Sequence, residues 1–258
     1  MSDLNHILYT VISFVITAII LVVLAKKPFG EVGKTRILKI SAILTVALHF
    51  SSLYVDYFSG IDPIAEQPML LPLYPCNVAM WLLVIVAFFK NKDSKIFDFL
   101  ATATFFLGVF GGIIGIVINQ NYIANPNLAD WGILKGMLSH STMLFGCIYI
   151  LIAGYIKVRV SKMLYVFLGL LMLVADGAII IFLHWIFGLD LPNSMYLLEL
   201  PFESMPWLNV ITIGILAMVI IFTACALVEQ FALPKEDRWY TKLKKFIEDK
   251  KSNKKSEV

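Results

Sequence analysis

Seven apolar runs, near residues 7–25, 37–58, 70–89, 97–118, 133–156, 163–188 and 207–229, constrain this chain more than any other feature. Each reaches the roughly 20 residues that a helix needs to cross a hydrocarbon core. Lipid offers no hydrogen bonds to a bare backbone, so segments of this length must be helices. The expected fold is all-α: a polytopic membrane protein whose residues 1–233 form a seven-transmembrane-helix bundle. Composition agrees, since 59% of the residues are hydrophobic and 15% are charged. The first run is expected to stay in place. Its flank, "MSDLNH", is acidic, the basic Lys26 and Lys27 follow it, and no small-residue cleavage site precedes them.

Charge sets the expected orientation. Lys26, Lys27, Lys34, Arg36 and Lys39 follow the first run, Lys90, Lys92 and Lys95 the third, and Lys157, Arg159 and Lys162 the fifth. Nine more basic residues lie in the tail. Twenty of the 21 therefore share one side, which is read as cytoplasmic, and Lys135 is the exception. The N-terminus is expected outside and the C-terminus in the cytoplasm of a multi-pass cell-membrane protein. The outer loops carry Asp62, Glu66, Asp130, Asp190, Glu199 and Glu203 instead. The longest, 189–206, mixes apolar, aromatic and acidic residues, which suits a lid packed on the bundle. The tail, 234–258, reads as an amphipathic stretch with Trp239, Leu243, Phe246 and Ile247 on one face, suited to the inner leaflet, then a disordered end, with a solvated, topology-fixing tail as the alternative.

Several familiar motifs are excluded. "FGEVGKTR" contains Gly-Lys-Thr, but Pro28 stands where a phosphate-binding loop needs its first glycine. No G-x-S-x-G and no H-E-x-x-H occurs. Three cysteines without short spacing give neither a disulfide framework nor a zinc site. No cofactor, metal or nucleic-acid partner is expected, and membrane lipid is the partner. Gly108 with Gly112, and Gly111 with Gly115, form small-xxx-small pairs in the fourth run, read as close helix packing.

Ionisable side chains inside a membrane mark function. Following the alternating helix directions, His49, Cys76, Asn77, His140 and His184 fall at one level in the outer half. Asp56 lies just above them and Asp176 just below. Cys147 and Cys225 sit in apolar surroundings and read as packing residues. Cys76 differs, because in "LPLYPCNVAMW" Pro72 or Pro75 suits a helix's first turn. Free N–H groups there favour a thiolate. A histidine would complete a nucleophile–base pair, with His140 first by depth and His184 second. An inert thiol with a structural histidine is the alternative reading.

Four ordered blocks carry a resemblance. They are "LPLYPCNVAMWLLVIVAFF", "FDFLATATFFLGVFGGIIGIV", "KGMLSHSTMLFGCIYIL" and "NSMYLLELPFESMPWL", within residues 70–215. Together they resemble the YwaF family of TP0381-type integral membrane proteins. That family is similar to the eukaryotic transmembrane protein 164 ether-phospholipid acyltransferases and, more distantly, to androgen-induced hydrolases of fatty-acid esters. The resemblance implies a Cys–His pair at Cys76 and His140. Asn77, His49, His184 and Asp176, from their depth, and Asn193 and Tyr196, in the last block, are read as supporting or cavity-lining residues. Tyr74 stands where many members carry a histidine, Pro75 where an aliphatic residue is usual, and Leu198 and Glu199 where polar and basic residues are common. The leading expectation is a lipid acyltransferase or ester hydrolase with a thioester intermediate. A transporter or channel using His49, Asp176 and His184, or a non-catalytic seven-helix protein, are the alternatives.

Overall fold

The computed structural model describes residues 4–60, 71–118, 123, 127–188, 194–198, 200 and 205–256. The described regular structure is helical. It comprises α1 (Leu4–Ala25), α2 (Glu31–Phe58), α3 (Pro75–Phe88), α4 (Lys95–Val117), α5 (Trp131–Ile152), α6 (Met163–Phe187), α7 (Val210–Ala232) and α8 (Trp239–Ser256). Single 3-10 turns occur at Val160–Lys162, Ser194–Tyr196 and Lys235–Asp237.

Among the described residues, six apolar helices are long enough to cross a membrane and one more is shorter. The shorter one is α3. Its 14 residues rise about 21 Å, short of a roughly 30 Å core. The sequence suggested a helix from residue 70, but Leu71–Tyr74 are non-helical and Pro75 occupies the first helical position. A proline lacks the N–H to continue a helix behind it, so the ring sets the start.

Other helix ends have equally local causes. Asp130 caps α5 by accepting from the N–H of Gly132 (2.8 Å), so the helix begins at Trp131 rather than 133. It ends at Ile152 rather than 156 because Gly154 takes φ +80°. There Tyr155 N–H donates to Ile150 and Gly154 N–H to Leu151, the two bonds of a left-handed glycine stop. Asn209 and Thr212 form a reciprocal cap at the start of α7.

Packing centres on α5, which contacts α1, α2, α3 and α4, while α3 also lies against α2 and α4. On the far side of α4 lies α6, which in turn carries α7. Leu83, Val86, Phe97, Met143, Tyr149 and Ile150 fill the core between these helices. Conversely, Val15, Ile19, Val22, Ile215 and Val219 are exposed along α1 and α7. Such apolar surface is a liability in water and ordinary in a bilayer. Hydroxyl pairs cross-link the helices: Ser13 to Ser141 (2.6 Å), Thr45 to Thr142 (3.0 Å) and Thr35 to Tyr155 (2.9 Å).

Glu229 ties the basic end together. This carboxylate is 3% exposed, and its two oxygens accept from the N–H of Val160 and of Trp239, each at 2.8 Å. It thereby joins the turn before α6 to the first residue of α8. Glu229→Ala is expected to destabilise the protein by about 2–5 kcal/mol, because two half-buried donors lose a buried charged acceptor. Thermal unfolding in detergent measures the loss. Faster amide exchange at Val160 and Trp239 locates it.

Candidate active site

The candidate site forms where α3 begins, and three features fix that point. Pro75 opens the helix, and Tyr74 before it is extended (φ −125°, ψ 156°). Buried Leu73 presents its carbonyl to the Met195 N–H (2.9 Å) and the Ser194 hydroxyl (3.2 Å). The 194–196 turn is thus fastened over the start of α3. Met195 and Tyr196 hold φ of 53° and 55°, a left-handed pair rare for non-glycine residues. Such strain persists only where surrounding contacts impose it, and it concentrates at functional sites. Part of the imposing contact is α6. A Cβ at Gly177 would lie 2.9 Å from Met195 Cβ and 2.7 Å from Leu197 Cδ1. The described part of the 189–206 loop therefore packs on the bundle.

Tyr196 stacks obliquely on Tyr74, with ring centroids 5.8 Å apart. Burial pushes the Tyr196 phenol above its ordinary pKa, and the neighbouring Tyr74 and Cys76 add to the shift. Tyr74 is raised the same way, by burial first and Cys76 second. Both phenols keep their protons at neutral pH and remain donors beside Cys76.

Cys76 is the second residue of α3 and half-buried. Its thiol donates to Asn77 Oδ1 at 3.4 Å. Asn77 is buried, and its Nδ2 donates to His49 Nε2 at 3.4 Å. Behind His49, Lys135 Nζ donates to the His49 backbone carbonyl at 3.3 Å. Lys135 is only 7% exposed. The one basic residue that broke the charge asymmetry is accounted for: it sits inside the bundle, linking α5 to α2.

His140 approaches from α5. Its Nδ1 lies 2.7 Å from the Gly136 carbonyl. A carbonyl only accepts, so Nδ1 carries the proton and the neutral ring has its lone pair on Nε2. The ring lies against Gly115 of α4, where a Cβ would overlap it. The other glycines divide the work. A Cβ at Gly112 would come 2.9 Å from Leu144 Cβ, and one at Gly108 would overlap the Cys147 sulfur. A Cβ at Gly111 would lie 3.4 Å from Cys76 Cα. Cys76 and His140 thus border the same face of α4 at positions one turn, about 6 Å, apart along its axis.

Not every expected residue joins them. Asp176 and His184 lie on α6, which makes no extended contact with α3 or α5. Asp176 Oδ2 is buried without a hydrogen-bond partner among the described residues. Asn193 lies outside the described residues. Cys147 and Cys225 are fully buried in apolar packing. Among the described residues no three His, Cys, Asp or Glu side chains gather as a metal-ligating group. Sequence reasoning missed Ser194, the Leu73 carbonyl and the contact of Gly111 and Gly115 with the site. The i, i+4 spacing of those glycines was visible, but not which helix each one meets.

A family model described as the TMEM164 family matches residues 1–228. No curated protein and no solved structure matches the chain.

Proposed function

Because the chain belongs to the TMEM164 family of multi-pass membrane proteins, we propose that it is an intramembrane lipid acyltransferase, with Cys76 as nucleophile and His140 as base. The observation that carries this reading is the shared α4 face. Gly111 admits Cys76 and Gly115 admits the His140 ring, one turn apart. An ordinary thiol is mostly protonated at neutral pH, so a base is required. His140 has the right tautomer, with Nδ1 tied to Gly136 and the lone pair on Nε2.

The step runs as follows. Nε2 takes the thiol proton as the sulfur bonds to the carbonyl carbon of a lipid ester. Negative charge collects on the former carbonyl oxygen. The Cys76 N–H, in a helical turn whose first N–H groups have no intrahelical acceptor, and the Asn77 amide would receive it. The C–O bond to the lipid alcohol then breaks, and that oxygen takes the proton from Nε2. The thioester on Cys76 is released by an acceptor hydroxyl, or by water in the hydrolytic variant.

Placement in the membrane supports the same reading. We take the basic end as cytoplasmic and α3 as the seventh membrane helix. A 14-residue α3 seated at that side leaves Cys76 several ångströms below the outer surface. Acyl chains reach that depth and bulk water does not. The transport reading gains less support. Phe97, Met143, Tyr149 and Ile150 fill the layer between the site and the basic end, and Asp176 lies on α6, which makes no extended contact with α5.

The test is covalent. Full-length protein in liposomes receives phospholipid whose acyl chain ends in an alkyne. A hydroxylamine-sensitive label on the Cys76 peptide is expected. Cys76→Ser should convert it to a hydroxylamine-resistant ester or abolish it. No label, or label on the Cys147 peptide, overturns the assignment.

A further inference from the structure

The helix α8 is fixed at one end and exposed from Lys242 to Lys250. Its first residue, Trp239, is held by Glu229, and the Trp239 ring meets Phe222 of α7 at 5.3 Å. Arg238 closes the preceding turn through the Leu233 carbonyl (3.0 Å) and Gln230 Oε1 (3.1 Å). Beyond that anchor, α8 makes no extended contact with any described helix of the bundle. Leu243, Phe246 and Ile247 are about half exposed. Spaced i, i+3, i+4, they form one stripe.

The charges are ordered around that stripe. At about 100° per residue, Lys242 and Lys244 fall on its two sides and Lys250 on its line. Glu248 falls on the far side with Lys245, and Asp249 falls beside Lys242. Lys250 Nζ already lies over the Phe246 ring, 4.9 Å from its centre. Lys242 pairs with Asp237 (3.2 Å) and Lys244 with Glu248 (3.9 Å), but both pairs are mostly exposed. Exposed pairs of this kind exchange readily for another anion. From residue 234 on, the chain carries nine basic and five acidic residues. The loops at the same end of the bundle are basic as well.

We propose that α8 lies on a membrane surface and binds anionic phospholipid: the Leu243–Phe246–Ile247 stripe enters the acyl region while Lys242, Lys244 and Lys250 meet headgroup phosphates. Charge selects this occupant. A second copy of α8 would bring like charges together, whereas an anionic leaflet complements all three lysines. Lysine stems are long enough to follow the apolar stripe and place each ammonium at the headgroups. The anchor at Glu229 makes the contact intramolecular with a membrane-embedded helix, so no separate recruitment is needed.

Amide exchange on the full chain tests this in nanodiscs of phosphatidylcholine alone and in an equimolar mixture with phosphatidylglycerol. Amides of residues 242–250 are expected to exchange on the order of a hundredfold more slowly in the anionic discs, as three lysines near a charged surface predict. High salt should erase the difference. A K242Q/K244Q/K250Q variant should lose it while amides of α2 to α5 exchange as in the unaltered chain. Equal exchange in the two disc types overturns the proposal. So does protection that appears in lipid-free detergent and grows with protein concentration, which would assign the stripe to a second copy.

Discussion

Replacing His140 with alanine is expected to slow formation of the Cys76 thioester by about 10²–10⁴-fold, the range of a lost general base. Alkylation of Cys76 by a small reagent at alkaline pH should change little, because hydroxide then supplies the base. This contrast separates loss of chemistry from loss of fold. His49→Ala gives the second arm. His49 reaches Cys76 through Asn77, by two 3.4 Å contacts, and an amide does not pass protons as an imidazole does. Its removal should cost thioester formation well under the His140 effect, through looser placement of Asn77 and the thiol. If His49→Ala is instead the more damaging change and His140→Ala is mild, the base is misassigned. The hydrogen-bonded Cys76–Asn77–His49 row would then be the reacting unit.

The helices were legible in the sequence because hydropathy over 20 residues is a strong, local signal. Charge asymmetry was legible for the same reason, and its single exception, Lys135, pointed at something real. Cys76, Asn77 and His49 were placed at one level from helix direction alone, and they are joined by hydrogen bonds. Rotation could not be read. Whether His140 faced α2, α4 or lipid depends on which side of α5 packs where, and apolar residues surround that helix almost evenly. The same limit hid the separation of Asp176 and His184 from α5. The length of α3 was missed because hydropathy counts Leu71 and Leu73 as spanning residues, whereas Pro72 and Pro75 stop the helix from including them. The left-handed pair at Met195 and Tyr196 has no local sequence cause, since neither residue prefers that conformation. It is imposed by Leu73 and Gly177, residues distant in the chain.

Gly115→Ala is expected to be nearly as harmful to the reaction as His140→Ala. The added Cβ would overlap the His140 ring, so the ring must swing from its Gly136 bond or α5 must move off α4. Overpacking of this kind costs about 1–3 kcal/mol of stability. Thioester formation should fall to within about tenfold of the His140→Ala level, since the base is displaced rather than removed. Gly108→Ala is the matched control, two turns along the same helix. Its Cβ would overlap the Cys147 sulfur, a group the proposed chemistry does not use. It should cost similar stability and leave the thioester rate within a few-fold of the native protein. Second substitutions complete the logic. Cys147→Ala should restore stability to Gly108→Ala, because the missing sulfur makes room for the methyl. His140→Ala should restore stability to Gly115→Ala without restoring the reaction. Thermal unfolding and thioester labelling across these two double-mutant cycles measure the couplings directly. Equal rate losses at Gly108 and Gly115 would reduce the glycine face to general packing. A loss confined to Gly115 would make that glycine the residue that positions the base.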